Sequence, residues 1–152
     1  MKKKSLMVFM ERHRVLEELF LQHQEELVCL KLDKAKRHLE AFAKELRHHM
    51  YVEEKYVLPL YEKKVPPQPG AAPFLFYGEH QKLKEFLSKI ISKMKKLSAK
   101  SKTVRRQVID LLDLETRFKD ILMHHDLREK NMLYPKLDKV VTPEEREKLL
   151  TA

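Results

Sequence analysis

Over the first thirty residues the apolar positions step by three and four, through Leu6, Phe9, Leu16, Phe20, Leu27 and Leu30, and two histidines, His13 and His23, fall on the same track. This is the period of a helix that buries one face. A second stripe runs Leu39, Phe42, Leu46, His49, Glu53, Val57 and Leu60, with Asp33 expected as the N-cap that parts it from the first. A third passes through Phe76, His80, Leu83, Leu87, Ile90, Met94 and Leu97, and a fourth through Val108, Leu111, Leu114, Phe118, Leu122, His125, Glu129 and Met132.

Two glycines, no tryptophan and 36% charged residues suit long helices better than a sheet that needs many tight turns. The clearest break is "KKVPPQPGAAP", residues 63 to 73, where clustered prolines cannot continue a helix. Near the end, "TPEERE" places Thr142 as an N-cap, Pro143 at the first helical position and Glu145 to close a capping box, which predicts a short terminal helix. The expected fold is therefore all-α: an antiparallel up-down four-helix bundle with a short C-terminal helix, formed as a single domain over residues 1–152.

The main clue to function is a repeat. "RHHMYVEEKYVLP", residues 47 to 59, and "MHHDLREKNMLYP", residues 123 to 135, share a histidine pair, an acid four residues after the second histidine and a proline ten residues after it. Residues four apart are neighbours on a helix, so His49 with Glu53 and His125 with Glu129 can serve one small site. His48 and His124 are poorer choices, having Val52 and Arg128 four residues on. The halves also match at "ERHRVLEELF" and "GEHQKLKEFL", which sets His13 against His80.

A lone His-x-x-x-Glu pair is ordinary surface decoration. Here both pairs lie on apolar stripes together with His13 and His80, and two carboxylates among four imidazoles would be expensive to bury unless something paired them. A plain interaction bundle would leave the glutamates without counter-charges. Six such ligands from four helices suit two bridged cations better than one. Imidazole argues against calcium and magnesium, and the lack of cysteine ligands against structural zinc; iron is the natural occupant, with manganese or zinc as alternatives. A ferritin-like site wants two Glu-x-x-His motifs, whereas only Glu45 to His48 is present and Ile121 stands at its counterpart.

The ordered set His13, His49-x-x-x-Glu53, His80, His125-x-x-x-Glu129, with "VLP" and "LYP" after the paired motifs, resembles the hemerythrin or HHE cation-binding family from residue 5 to about residue 140. The resemblance implies His13 and His49 on one iron, His80 and His125 on the other, or a related pairing, with Glu53 and Glu129 as bridging carboxylates. It also implies an oxo or hydroxo bridge between two iron ions and an open position for O2, NO or peroxide. Oxygen-carrying members have a further histidine one turn before the position of His80, and this chain has Phe76 there. That departure speaks against simple reversible oxygen carriage and leaves water, Tyr77 or Glu79 to stand in. Glu54 is disfavoured because its counterpart is Lys130, and His23 is expected to be a core or boundary histidine bonded to backbone or water.

The lone Cys29 excludes an internal disulfide. The apolar stretch after the basic opening ends at Glu11, short of the roughly 7 to 15 residues of a signal peptide, and no apolar run is long enough for a membrane span. A cytoplasmic location without membrane association is expected. The net charge of +9 is concentrated between Lys82 and Arg106, where ten basic residues meet one acid, Glu85. Without aromatic RNA-binding signatures or zinc-finger spacings, this is expected to be a solvated face rather than a nucleic-acid surface. The expected function is a non-haem di-iron protein that binds or reduces a small oxidant, with an external electron donor if it turns over. The alternative is an iron or oxygen sensor, or an iron-handling module, without turnover.

Overall fold

The computed structural model describes residues 4–152; residues 1–3, most of the basic opening, lie outside the described residues. A 3-10 turn at Leu6–Met10 leads into α1 (Glu11–Val28), followed by α2 (Leu32–Val52), α3 (Leu58–Lys64), α4 (Pro73–Lys96), α5 (Val104–Arg128), α6 (Tyr134–Val140) and α7 (Pro143–Leu150). No strand is present among the described residues. The long helices α1, α2, α4 and α5 form the bundle, with α1 packed most closely on α2 and α4 on α5.

The turn between α1 and α2 has a different origin from the expected cap. Leu30 sits in the left-handed region at φ 56°, the Leu30 N–H donates to the Leu27 carbonyl and the Lys31 N–H to the Glu26 carbonyl, both at 2.9 Å. This is a Schellman end with leucine where glycine is usual. Lys31 then occupies the N-cap of α2 without a side-chain bond, and Asp33 lies inside the first turn. At the other end the expected capping box is present, with Thr142 and Glu145 bonding reciprocally.

Two π-helical turns, Glu53–Val57 and Glu129–Leu133, join α2 to α3 and α5 to α6. In each, the closing N–H, of Leu58 or Tyr134, reaches back five residues to the carbonyl of the glutamate. A proline follows directly, Pro59 or Pro135, with no N–H to give and a ring that would clash with an α-helical carbonyl four residues earlier; the wider turn relieves both. The added residue rotates everything beyond it. The sequence stripes expected Leu60 and Met132 on the inner face, but both are half-buried, while Leu58, Tyr61, Leu133, Tyr134 and Leu137 are buried in their place.

The interior consists of two apolar clusters. One gathers Phe20, Phe42 and Phe118, with ring centroids 4.8 to 5.8 Å apart. The other stacks Phe9 on Tyr134 at 5.3 Å and sets Tyr61 edge-on to Phe76 at 5.7 Å. Apart from Met50, each long helix feeds the first cluster on one side of its histidine, and the chain on the other side of that histidine feeds the second. The histidines and glutamates therefore lie between two dry layers.

The chain ends are tied near the second cluster. Asp138 accepts from the Ser5 hydroxyl at 2.8 Å and the Leu6 N–H at 3.1 Å, and it pairs with Arg146 of α7. Partial burial pushes its carboxyl upward, but the Leu6 N–H, Arg146 and Ser5 outweigh that and hold it below the usual value of 3.8. A depressed folded value stabilises the fold above the unfolded value and loses that contribution as pH falls through the folded one. Asp138→Asn is expected to cost about 2 kcal/mol at pH 7 in urea unfolding, with the gap to wild type closing below about pH 4.

Candidate metal centre

All six residues singled out by the repeat meet between the two clusters, and all are at most 4% exposed. His13 comes from α1, His49 from the last turn of α2, His80 from α4 and His125 from the last turn of α5, while Glu53 and Glu129 open the two π turns. The histidines form two edge-on pairs, His13 with His49 and His80 with His125, with ring centroids 4.9 and 4.8 Å apart. The two ring atoms His13 Nε2 and His49 Nε2 are 3.0 Å apart.

The carboxylates lie between the pairs. Glu53 Oε1 is 3.1 Å from His49 Nε2 and 3.5 Å from His80 Nε2. Glu129 Oε1 is 3.2 Å from His13 Nε2, 3.8 Å from His49 Nε2 and 3.4 Å from His125 Nε2. Each glutamate thus reaches one histidine or more from either pair. Two overlapping sets, Glu53 with His80, His125 and Glu129, and His13 with His49 and Glu129, offer ligating atoms within 4.8 Å of one another and can each hold a metal ion.

The inner atoms fit cations better than they fit each other. Among the described residues, Glu53 Oε1, both Glu129 oxygens, His80 Nε2 and His125 Nε2 are buried without a hydrogen-bond partner, a condition that native interiors avoid unless water or an ion completes it. Three outer atoms are tied in place: Glu53 Oε2 accepts from the Tyr134 hydroxyl at 2.8 Å, His80 Nδ1 pairs with Glu54 at 2.9 Å and His125 Nδ1 pairs with Glu79 at 3.2 Å. His13 Nδ1 faces Asp126 Oδ1 at 3.3 Å, but those two atoms, like His49 Nδ1, form no hydrogen bond among the described residues. Such outer partners fix the tautomer and angle of a ligating imidazole.

Electrostatics follow the same division. Burial pulls His13 and His125 below their ordinary value and favours the neutral, ligating imidazole. On His49 burial acts in the same sense but is outweighed by the charge and hydrogen bond of Glu53, so the ring is held upward. Burial would raise Glu53, yet His49, His80 and His125 together bring it well below the carboxylate range. Burial raises Asp126 to about 6. It also raises Tyr134 well above a free phenol, with Glu53 adding to the effect, so the hydroxyl remains a donor.

Several expectations are revised. Glu79, considered for the place left by Phe76, turns outward to His125 Nδ1 and Arg128. Tyr77 packs half-buried on the second apolar cluster. Glu54, disfavoured from the repeat, holds His80. Sequence reasoning missed Asp126 and Tyr134 altogether. The signal was adjacency, because Glu54, Glu79 and Asp126 each stand next to one site residue and reach the histidine of another helix. His23 is the expected core histidine: its Nδ1 pairs with the Ala35 carbonyl at 2.7 Å, and its Nε2 pairs with Glu115 at 2.8 Å. Glu115, fully buried, was also missed.

A buried array of four imidazoles and two carboxylates set across a four-helix bundle defines a cation-binding helical protein. The Hemerythrin HHE cation binding domain model matches residues 6–137, and the chain belongs to that family. No curated protein and no solved structure matches the chain. No helix of the described residues is long and apolar enough to cross a membrane.

The His23–Glu115 pair is fully bonded and separate from the cluster, so its role is structural. Glu115→Ala is expected to lower stability by about 3 to 5 kcal/mol by stranding a buried polar partner, with metal content per folded chain unchanged in elemental analysis.

Proposed function

We infer that the chain binds two iron ions, one between His13 and His49 and one between His80 and His125, with Glu53 and Glu129 reaching both, and that it handles a small oxidant such as O2, NO or peroxide there. The observation that carries this is the set of inward carboxylate and imidazole atoms left without partners between two apolar layers. Imidazole and carboxylate without thiolate suit iron, and the family match is to a cation-binding domain. When bound, iron supplies the electron chemistry and an open position for a small ligand.

The chain's own part is orientation and exclusion of water. Tyr134 holds one oxygen of Glu53 and leaves the other facing inward. Glu54 and Glu79 keep the Nδ1 protons of His80 and His125 on the outer side, which presents Nε2 to a metal. Phe76, fully buried where oxygen carriers have a histidine, brings an apolar ring from the second cluster. An ion at His80 and His125 therefore has one imidazole fewer than in those carriers. This favours reduction or sensing of an oxidant over reversible carriage.

Anaerobic loading with ferrous iron is expected to give two irons per chain by elemental analysis, with a visible spectrum that responds to at least one of O2, NO and peroxide. His49→Ala or Glu129→Ala should abolish stoichiometric iron; wild-type uptake no higher than trace would sink the proposal. Glu54→Gln and Tyr134→Phe, which touch no inward atom, are expected to weaken iron by about tenfold or more in competition with a chelator.

A further inference from the structure

Three of the four histidines have an outer carboxylate: Asp126 faces His13 Nδ1 at 3.3 Å without a hydrogen bond, Glu54 bonds His80 and Glu79 bonds His125. Among the described residues no carboxylate pairs with His49 Nδ1, which is buried without a partner. The internal repeat shows where one belongs. Glu79 directly precedes His80 and serves His125; the residue that directly precedes His13, and by the same relation should serve His49, is Arg12. A cation stands where the other half of the molecule has an acid.

Arg12 is itself incompletely bonded. Its guanidinium lies over the Phe9 ring at 4.9 Å, but its Nη1 is buried and meets no acceptor among the described residues. Arg12 and His49 line the same cavity, of about 390 Å³, together with Val15, Leu16, Glu45 and His48. None of the other five site residues lines it, and the Nε2 atom of His49 is already set against His13 and Glu53. Glu45 is the one acid there; it is exposed and bonds neither donor.

We propose that this cavity binds a small carboxylate anion, of the formate or acetate class, held between the Arg12 guanidinium and the Nδ1–H of His49. The anion takes the place of the outer carboxylate that the other three histidines carry within the chain. Arg12 is thus the specificity element: an acid there would have closed the shell internally, whereas a guanidinium paired with an imidazole N–H selects a planar, singly charged oxyanion. The inference rests on the cation site proposed above, because a metal on Nε2 is what keeps the His49 proton on Nδ1 as a donor.

The test uses the full chain loaded with zinc, which is redox-silent, with metal content measured on each sample. Carbon-13 formate is titrated at constant ionic strength, with chloride as the control anion, and followed by NMR. Saturable formate binding is expected, at least tenfold weaker in Arg12→Gln and only partly weakened in Arg12→Lys, which retains the charge if the glutamine variant folds poorly. Glu45→Gln should tighten binding by removing the competing acid. Equal affinity in wild type and Arg12→Gln would place the anion elsewhere, on the metal included, and overturn the inference. No saturable binding to metal-loaded wild type would overturn it too, as would binding that appears only in Glu45→Gln, since Glu45 then fills the place itself. Failure to take up metal is a distinct result: it contradicts the function proposed above and removes the Nδ1 donor this site requires.

Discussion

Everything in this structure is arranged around the burial of two carboxylates among four imidazoles. Desolvating such groups is unfavourable unless each charge finds a counterpart, and the chain meets only half of that demand itself. Some outward atoms have protein partners, from Tyr134 on Glu53 to Glu79 on His125. Among the described residues the inward atoms Glu53 Oε1, both Glu129 oxygens, His80 Nε2 and His125 Nε2 have none. Apolar layers flank the gap above and below, so the stability of the bundle and the affinity of the site for cations are two aspects of one interaction.

The repeat makes the site approximately symmetric, and its departures from symmetry give the two histidine pairs different characters. Tyr134 reaches Glu53, but its counterpart, Leu58, has nothing to offer Glu129, whose two oxygens remain free. Glu54 and Glu79 back the His80–His125 pair with negative charge, whereas the His13–His49 pair has Asp126 on one side and Arg12 on the other. More outer carboxylate makes imidazole a stronger donor. The imidazoles of the His80–His125 pair are therefore the more electron-rich of the two sets.

Much of this was legible in the sequence, because helical period and the repeat are local. The four stripes, the proline-rich break, the Thr142 cap and the six converging residues required only spacing. What spacing could not carry was the effect of Pro59 and Pro135 on the turns before them. Each proline forces a π turn that begins at the glutamate, and that turn moves Leu60 and Met132 off the inner face and brings Tyr134 onto it. The outer acids were hidden for a related reason. Glu54, Glu79 and Asp126 sit one position off their own stripe and read as surface, and only the packing of neighbouring helices brings them to a histidine on another element. Leu30 in a left-handed conformation and Glu115 beneath His23 are further tertiary outcomes that no local pattern announces.

The most direct test of the central claim is anomalous X-ray diffraction at the iron edge from crystals of the iron-loaded chain. Two peaks are predicted, one touching His13 and His49, the other His80 and His125, with Glu53 and Glu129 in contact with both. No peak inside the bundle, or a single peak away from these residues, would contradict the account.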